Sequence, residues 1–103
     1  MVQGPDAVRL VENVFRLTVD DVFAIRGRGL VTTGRVESGR VRVGDEVQIN
    51  GEHRVRVDGI ERFRKTLDEA AQGENVGLLF RDLGKADVRP GDVLTAGGFE
   101  VAL

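Results

Sequence analysis

Cysteine is absent from this 103-residue chain, so it holds neither a disulfide nor a thiolate metal site. Histidine occurs once. His53 cannot build a metal centre by itself, and its place in the turn-like run Asn50-Gly51-Glu52-His53 predicts a solvated side chain. Serine also occurs once. Ser38 lies beside Gly39 in a predicted turn and is not paired with His53, so no nucleophile–base couple is legible. The carboxylates at Asp20-Asp21, Glu61, Asp68-Glu69 and Glu74 read as solvated acids on a highly charged chain, and the expectation is that the protein is not an enzyme. No apolar run approaches the ~20 residues of a membrane span, and no signal-type segment follows Met1. The reading is therefore cytoplasmic, with no membrane partner. The net charge of −2 implies no general affinity for nucleic acid. Lysine is scarce: of 15 basic residues only Lys65 and Lys85 are lysine, and the rest are arginine. Arginine suits forked contacts to phosphate and carboxylate, although codon bias produces the same composition.

What is present is alternation. The length is that of one domain, and 41% hydrophobic with 31% charged residues is a globular composition. Phe15, Leu17, Val19, Phe23 and Ile25 share one parity, a half-buried strand interrupted where carboxylates stand at Asp20-Asp21. Gly29 to Ser38 reads as a second strand. Val41, Val43, Val47 and Ile49 continue across a turn at Gly44-Asp45. Val55 and Val57 lead to a slipped phase at Asp58-Gly59, followed by Ile60 and Phe63; a slip beside a glycine suggests a bulge. Val76, Leu78 and Phe80 make another strand, and Val93-Leu94-Thr95 the last. Only Lys65 to Gln72 tolerates a helical reading. Pro90-Gly91 predicts a type II turn. The segments VRVGDEV (41–47) and VRPGDVL (88–94) echo one another weakly. Many short strands between glycine-rich turns predict an all-β sandwich or barrel.

Gly29, Gly34, Gly39 and Gly44 recur every five residues. A phosphate loop would need Gly, four residues and Gly-Lys-Ser/Thr, which does not occur. Gly27-Arg28-Gly29 begins a dinucleotide fingerprint, but Thr32 stands at the next required glycine and a strand follows. The glycines are therefore read as residues that coil a small barrel.

The run Asp21-Val22-Phe23-Ala24-Ile25-Arg26-Gly27-Arg28-Gly29, then Thr33-Gly34-Arg35-Val36-Glu37-Ser38-Gly39, resembles the second domain of elongation factor Tu and related translational GTPases. So do Val43 to Val47, Gly59 to Lys65, Leu67 to Ala70, Gly73 to Leu79 and Pro90 to Leu94. The resemblance covers about Val14 to Gly97, which sets the expected barrel at 14–97 with a leader (1–13) and a tail (98–103). It implies a small closed Greek-key β-barrel of about six strands. It also implies a module that holds the acceptor end of aminoacyl-tRNA against a GTPase domain and touches the small ribosomal subunit. By the same resemblance, Glu61 stacks on the terminal adenosine, Arg64 lies near its phosphate, and Ile25, Val31 and Leu79 form an apolar floor. The aminoacyl group would lie against Asp20, Asp21, Phe23 and Asn75. The family usually has glutamate at Asp20, one methylene longer, and a small residue at Leu30. Taken singly, Ile25, Val31, Leu79 and Phe23 read as barrel packing, Asn75 and Gly77 as turn chemistry, and Glu61 as a solvated strand face.

The GTPase motifs are missing: there is no P-loop, no Asp-x-x-Gly and no Asn-Lys-x-Asp. No cofactor is expected. Met1 and the apolar tail point towards a free-standing chain rather than an excised domain. By itself the aminoacyl-tRNA site is half a site, with an expected dissociation constant of roughly micromolar to millimolar. The alternative is an orphan barrel with a relic pocket, serving as a protein- or ribosomal-RNA-interaction module.

Overall fold

Period-two patterning becomes strand throughout the computed structural model, which describes the backbone of residues 9–102 and the side chains of residues 14–97. Eleven strands follow in order: β1 (Arg9–Thr18), β2 (Asp21–Ile25), β3 (Gly29–Ser38), β4 (Arg40–Arg42), β5 (Glu46–Ile49), β6 (His53–Arg56), β7 (Gly59–Arg62), β8 (Lys65–Leu67), β9 (Glu69–Ala71), β10 (Asn75–Phe80) and β11 (Val93–Ala102). Among the described residues there is no helix, so the helical reading of 65–72 is corrected to β8 and β9. Only Ala70 of that stretch is fully buried, too few apolar contacts to hold a helix against the barrel. The eleven segments form one curled nine-stranded sheet and a two-stranded ribbon, within the expected all-β barrel class.

The main sheet runs β6-β5-β11-β1-β3-β10-β7-β8, with β2 also paired to β3, while β4 and β9 form a separate ribbon. The pairing is non-sequential: the first strand lies beside the last, and β10 crosses back to β3. The path curls on itself. β6 and β7 stand near its opposite ends, yet only Val57 and Asp58 separate them in the chain. The slipped phase at Asp58-Gly59 is the corner between them. There the Asp58 amide donates to the Leu79 carbonyl (2.8 Å), and its carboxylate accepts from the Arg81 amide (2.8 Å). β1 and β11 pair from Arg9↔Ala102 to Thr18↔Val93, so both strands run through residues 13/14 and 97/98.

The inner face carries Phe15, Leu17, Leu30, Val36, Val47, Ile60, Leu78, Phe80 and Leu94, all fully or almost fully buried. Asp20-Asp21 interrupts the first strand as its sequence suggested. Val19 is buried and bonded to the 91–92 turn, and Asp20 donates its amide to the Thr33 carbonyl (2.7 Å). Among the described residues, one polar side chain shares the core. Thr32 is fully buried between Val22 and Leu78, and its Oγ1 has no hydrogen-bond partner among the described residues. An unmet buried hydroxyl costs about 1–3 kcal/mol. Thr32→Val is therefore expected to stabilise by about 1 kcal/mol and raise Tm by roughly 4–8 °C. A thermal melt with an unchanged or lowered midpoint would refute this.

The acids mostly hold turns. Asp45 closes Arg42–Asp45: its amide donates to the Arg42 carbonyl (3.0 Å) and its carboxylate accepts from the Arg42 amide (2.8 Å). Asp92 does the same to Arg89, at 3.0 and 2.9 Å. Glu74 and Asp87 repeat the arrangement on Ala71 and Gly84. The echo between VRVGDEV and VRPGDVL is thus one turn built twice, with Gly44 (φ +97°) and Gly91 (φ +94°) before each aspartate. Gly91 after Pro90 is the expected type II geometry. The Arg89 amide, with Asn50 beside it, holds the Asp92 carboxyl below its ordinary pKa.

Candidate functional site

Register places the site on the outer face of the curled sheet. One row crosses four strands as Asp21↔Thr33↔Gly77↔Glu61, and Thr66 of β8 extends it. Two residues along, a second row reads Phe23↔Val31↔Leu79↔Gly59. Ile25, opposite Gly29, stands beyond it on the same face of β2. Residues two apart share a face, so these rows are adjacent strips of one surface. The strands alternate correctly for this: Leu30, Thr32, Ile60, Leu78 and Phe80 point the other way, into the core.

A cleft of about 320 Å³ opens over the first row, lined by Asp20, Asp21, Thr33, Gly34, Glu61, Arg62, Phe63, Asn75, Val76 and Gly77. The middle of its floor lacks a side chain at Gly77. A Cβ there would stand 3.1 Å from Val31 Cγ1. The second row is apolar and closed: Val31 and Leu79 are 9% and 4% exposed although they face outward. Beside them Phe23 is 53% exposed.

An ion pair ties the rows together. Glu61 Oε1 accepts from Arg28 Nη2 at 3.0 Å, both side chains remaining partly exposed. Arg28 stands in the β2–β3 turn and Glu61 on β7, so the register puts the Val31–Leu79 row between the partners. An exposed pair of this kind contributes at most about 1 kcal/mol, so it can open at small cost.

The lip of the cleft is held in an unusual conformation. Arg62 pairs with Lys65, leaving Phe63-Arg64 as a two-residue hairpin turn. Both have positive φ, +49° and +65°, as a type I′ turn requires, yet neither is glycine, asparagine or aspartate. Left-handed φ costs about 1–2 kcal/mol per ordinary residue. In this turn Phe63 is 82% exposed, with the Arg62 guanidinium 5.3 Å from its ring centroid. Arg62 is anchored in turn by Glu74 at 3.3 Å.

The sequence-derived residues therefore fall into three groups. Asp20, Asp21, Glu61 and Asn75 line the cleft together. Phe23, Ile25, Val31 and Leu79 lie on the neighbouring part of the same face. Arg64 stands in the β7–β8 turn outside the lining, with no ion-pair partner among the described residues. Gly77, read alone as a turn residue, is instead inside β10. Phe63, read as a strand apolar residue, is the exposed tip of a turn. Phe23, which alone reads as core, is half in solvent. Thr33, Gly34, Arg62, Phe63 and Val76 also line the cleft, although the sequence assigns none of them a site role; the parity of Thr33 with Asp21 across the hairpin is the signal it offers. Among the described residues no group of acids and histidine could hold a metal ion.

The family model described as elongation factor Tu domain 2 matches residues 29–95, well over half of the chain. The chain belongs to that family. Its curled all-β sheet is consistent with the elongation factor Tu domain 2 barrel, and the family assignment makes it a translation-factor β-barrel module. The matched span takes in β3, β7 and β10, which carry Thr33, Glu61, Asn75 and Gly77; Asp20 and Asp21 on the β2 side lie just before it. No helix of the described residues is long and apolar enough to cross a membrane.

Proposed function

We propose that this elongation factor Tu domain 2 module is a non-catalytic grip for the 3′ acceptor end of aminoacyl-tRNA. The observation that carries the reading is the outer-face arrangement: an acidic cleft over Gly77 lies directly beside the apolar Phe23–Val31–Leu79 row, with Glu61 at their boundary. A single-stranded end is read by stacking and by hydrogen bonds to base edges and the 2′-hydroxyl. The apolar row, with Ile25, suits the terminal adenine, whose stacking on a side chain is worth about 1–3 kcal/mol. Glu61 leaves Arg28 and accepts from the ribose or base. Asp20, Asp21 and the Asn75 amide face the cationic ammonium of the aminoacyl ester. Arg64, projecting from the turn with no carboxylate partner among the described residues, contacts phosphate by a charge-assisted bond.

The cleft is open on its far side, where a GTPase domain would supply the second wall; contact with the small ribosomal subunit belongs to the same reading. Alone, the grip is weak, with Kd of roughly micromolar to millimolar. Titrating the isotope-labelled chain with aminoacylated tRNA is expected to move the resonances of Glu61, Gly77 and Leu79, and uncharged tRNA is expected to bind more weakly. If a millimolar excess (about 1 mM) leaves these resonances in place, the chain does not hold acceptor ends.

A further inference from the structure

The free edge of β2 carries a second surface. β2 pairs with β3 on one side, and among the described residues no backbone hydrogen bond leaves residues 21–25 on the other. Such an edge presents unpaired amides and carbonyls to any incoming strand, and most proteins blunt it with charge, proline or a bulge. The other edges of the main sheet follow that rule: β6 exposes His53, Arg54 and Arg56, and β8 exposes Lys65. β2 does not. Val22-Phe23-Ala24-Ile25 is an uninterrupted apolar run, with Phe23 and Ala24 exposed. Its charges stand outside the run and are segregated. Asp20 and Asp21 lie at its start and Arg26 just beyond its end, all exposed and none in an ion pair among the described residues.

We infer that β2 pairs with β2 of a second copy of this chain, antiparallel across a two-fold axis at Phe23. Directly opposed residues of an antiparallel pair share a face. Registers that oppose odd with odd residues therefore continue the outer surface from one copy to the next. Among these, the register centred on Phe23 sets Asp21 against Ile25, Val22 against Ala24 and Phe23 against Phe23. It also sets Asp20 against Arg26 of the second copy, twice by symmetry. Centring the pair on Val22 sets Asp20 against Ala24 and Asp21 against Phe23, so neither acid meets a base. Centring it on Ala24 sets Arg26 against Val22 and Asp20 against Arg28, but Arg28 lies in the β2–β3 turn, beyond the end of the strand, and is held by Glu61. The register centred on Phe23 leaves Asp21 opposite Ile25 and matches Asp20 with Arg26. The occupant is thus specified by the edge itself: a strand with acid at one end and base at the other complements its own reverse. The interface is isologous and closed, so it stops at two copies. Five residues a side bury less than the ~800 Å² per partner of a standard interface, and the dimer is correspondingly weak, with Kd of about 10 μM to 1 mM.

The test is sedimentation equilibrium of the whole chain over about 10 μM to 1 mM, with charge reversals on the exposed pair. Wild type is expected to pass from monomer to dimer in that range. Asp20→Arg opposes two arginines and Arg26→Asp two aspartates, and each is expected to weaken association at least about tenfold. The double variant, Asp20→Arg with Arg26→Asp, restores the complement in reverse and is expected to return to within about threefold of wild type. Unchanged thermal melts show that all three variants remain folded. A monomer throughout the range overturns the proposal, as does a dimer indifferent to the single reversals or a double variant that stays monomeric. None of these readouts involves tRNA, so the outcome is separate from the acceptor-end reading.

Discussion

Gly29→Ala is expected to lower stability by about 3–5 kcal/mol, a large share of the total for a domain of this size. Two costs combine. The backbone at Gly29 has φ +122°, a conformation that residues with a side chain rarely adopt. An added Cβ would also stand 2.5 Å from the Phe80 carbonyl oxygen and 2.7 Å from Arg81 Cα, and these are backbone atoms that cannot swing aside. The fall in Tm is at least roughly 12 °C. Two companions separate the causes. Gly34 has no positive φ, but its Cβ would meet the Thr18 carbonyl oxygen at 2.5 Å and Leu17 Cδ2 at 2.8 Å; alanine there is expected to cost about 2–3 kcal/mol from crowding alone. Gly44 has φ +97° and nothing within 4 Å, so alanine there carries only the dihedral cost, about 1–2 kcal/mol. Denaturant melts of the three variants should rank Gly29, then Gly34, then Gly44. If Gly44→Ala is as damaging as Gly29→Ala, the close approach of β3 to the 80–81 corner is not what requires glycine.

That ranking shows how the five-residue glycine spacing works in the fold. Gly29, Gly34 and Gly39 each stand where another backbone segment crosses β3 or its end, and Gly44 is a turn. The sequence reading that these residues coil a sheet holds in general terms; which neighbour each one admits depends on contacts far along the chain. The same division applies to the candidate site. Asp20-Asp21 was legible as a break because carboxylates occupied apolar slots of a regular pattern. Pro90-Gly91 was legible because both dihedrals of the turn are written in residue types. Phe63 was not, because parity counts an aromatic as an inward residue and cannot register two consecutive left-handed conformations at non-glycine positions. Nor was the Arg28–Glu61 pair, whose partners are 33 residues apart. The lining beyond the anticipated acids is set by the β2-β3-β10-β7 register, and nothing local in the sequence states that register.

Gly77→Leu is expected to abolish acceptor-end binding while leaving the barrel folded. Gly77 sits between Thr33 and Glu61 in the row that floors the cleft, and its φ is not in the left-handed region. A Cβ there meets only Val31 Cγ1 at 3.1 Å, with Glu61 O and Thr33 Cγ2 at 4.0 Å. The first carbon is thus accommodated by a shift of a few tenths of an ångström, at a cost of about 1 kcal/mol. The rest of the leucine side chain projects outward into the space lined by Asp21, Glu61 and Asn75. An occupant of that space loses both its volume and its approach to the carboxylates, so affinity should fall more than about tenfold, beyond the reach of the titration. Gly77→Ala isolates the first methyl group and is expected to weaken binding only about threefold. The Arg28–Glu61 bond spans the neighbouring Val31–Leu79 row rather than the floor at Gly77, and should survive in both variants. A Gly77→Leu chain that melts near wild type and still binds charged acceptor ends with undiminished affinity would place the ligand elsewhere on the barrel.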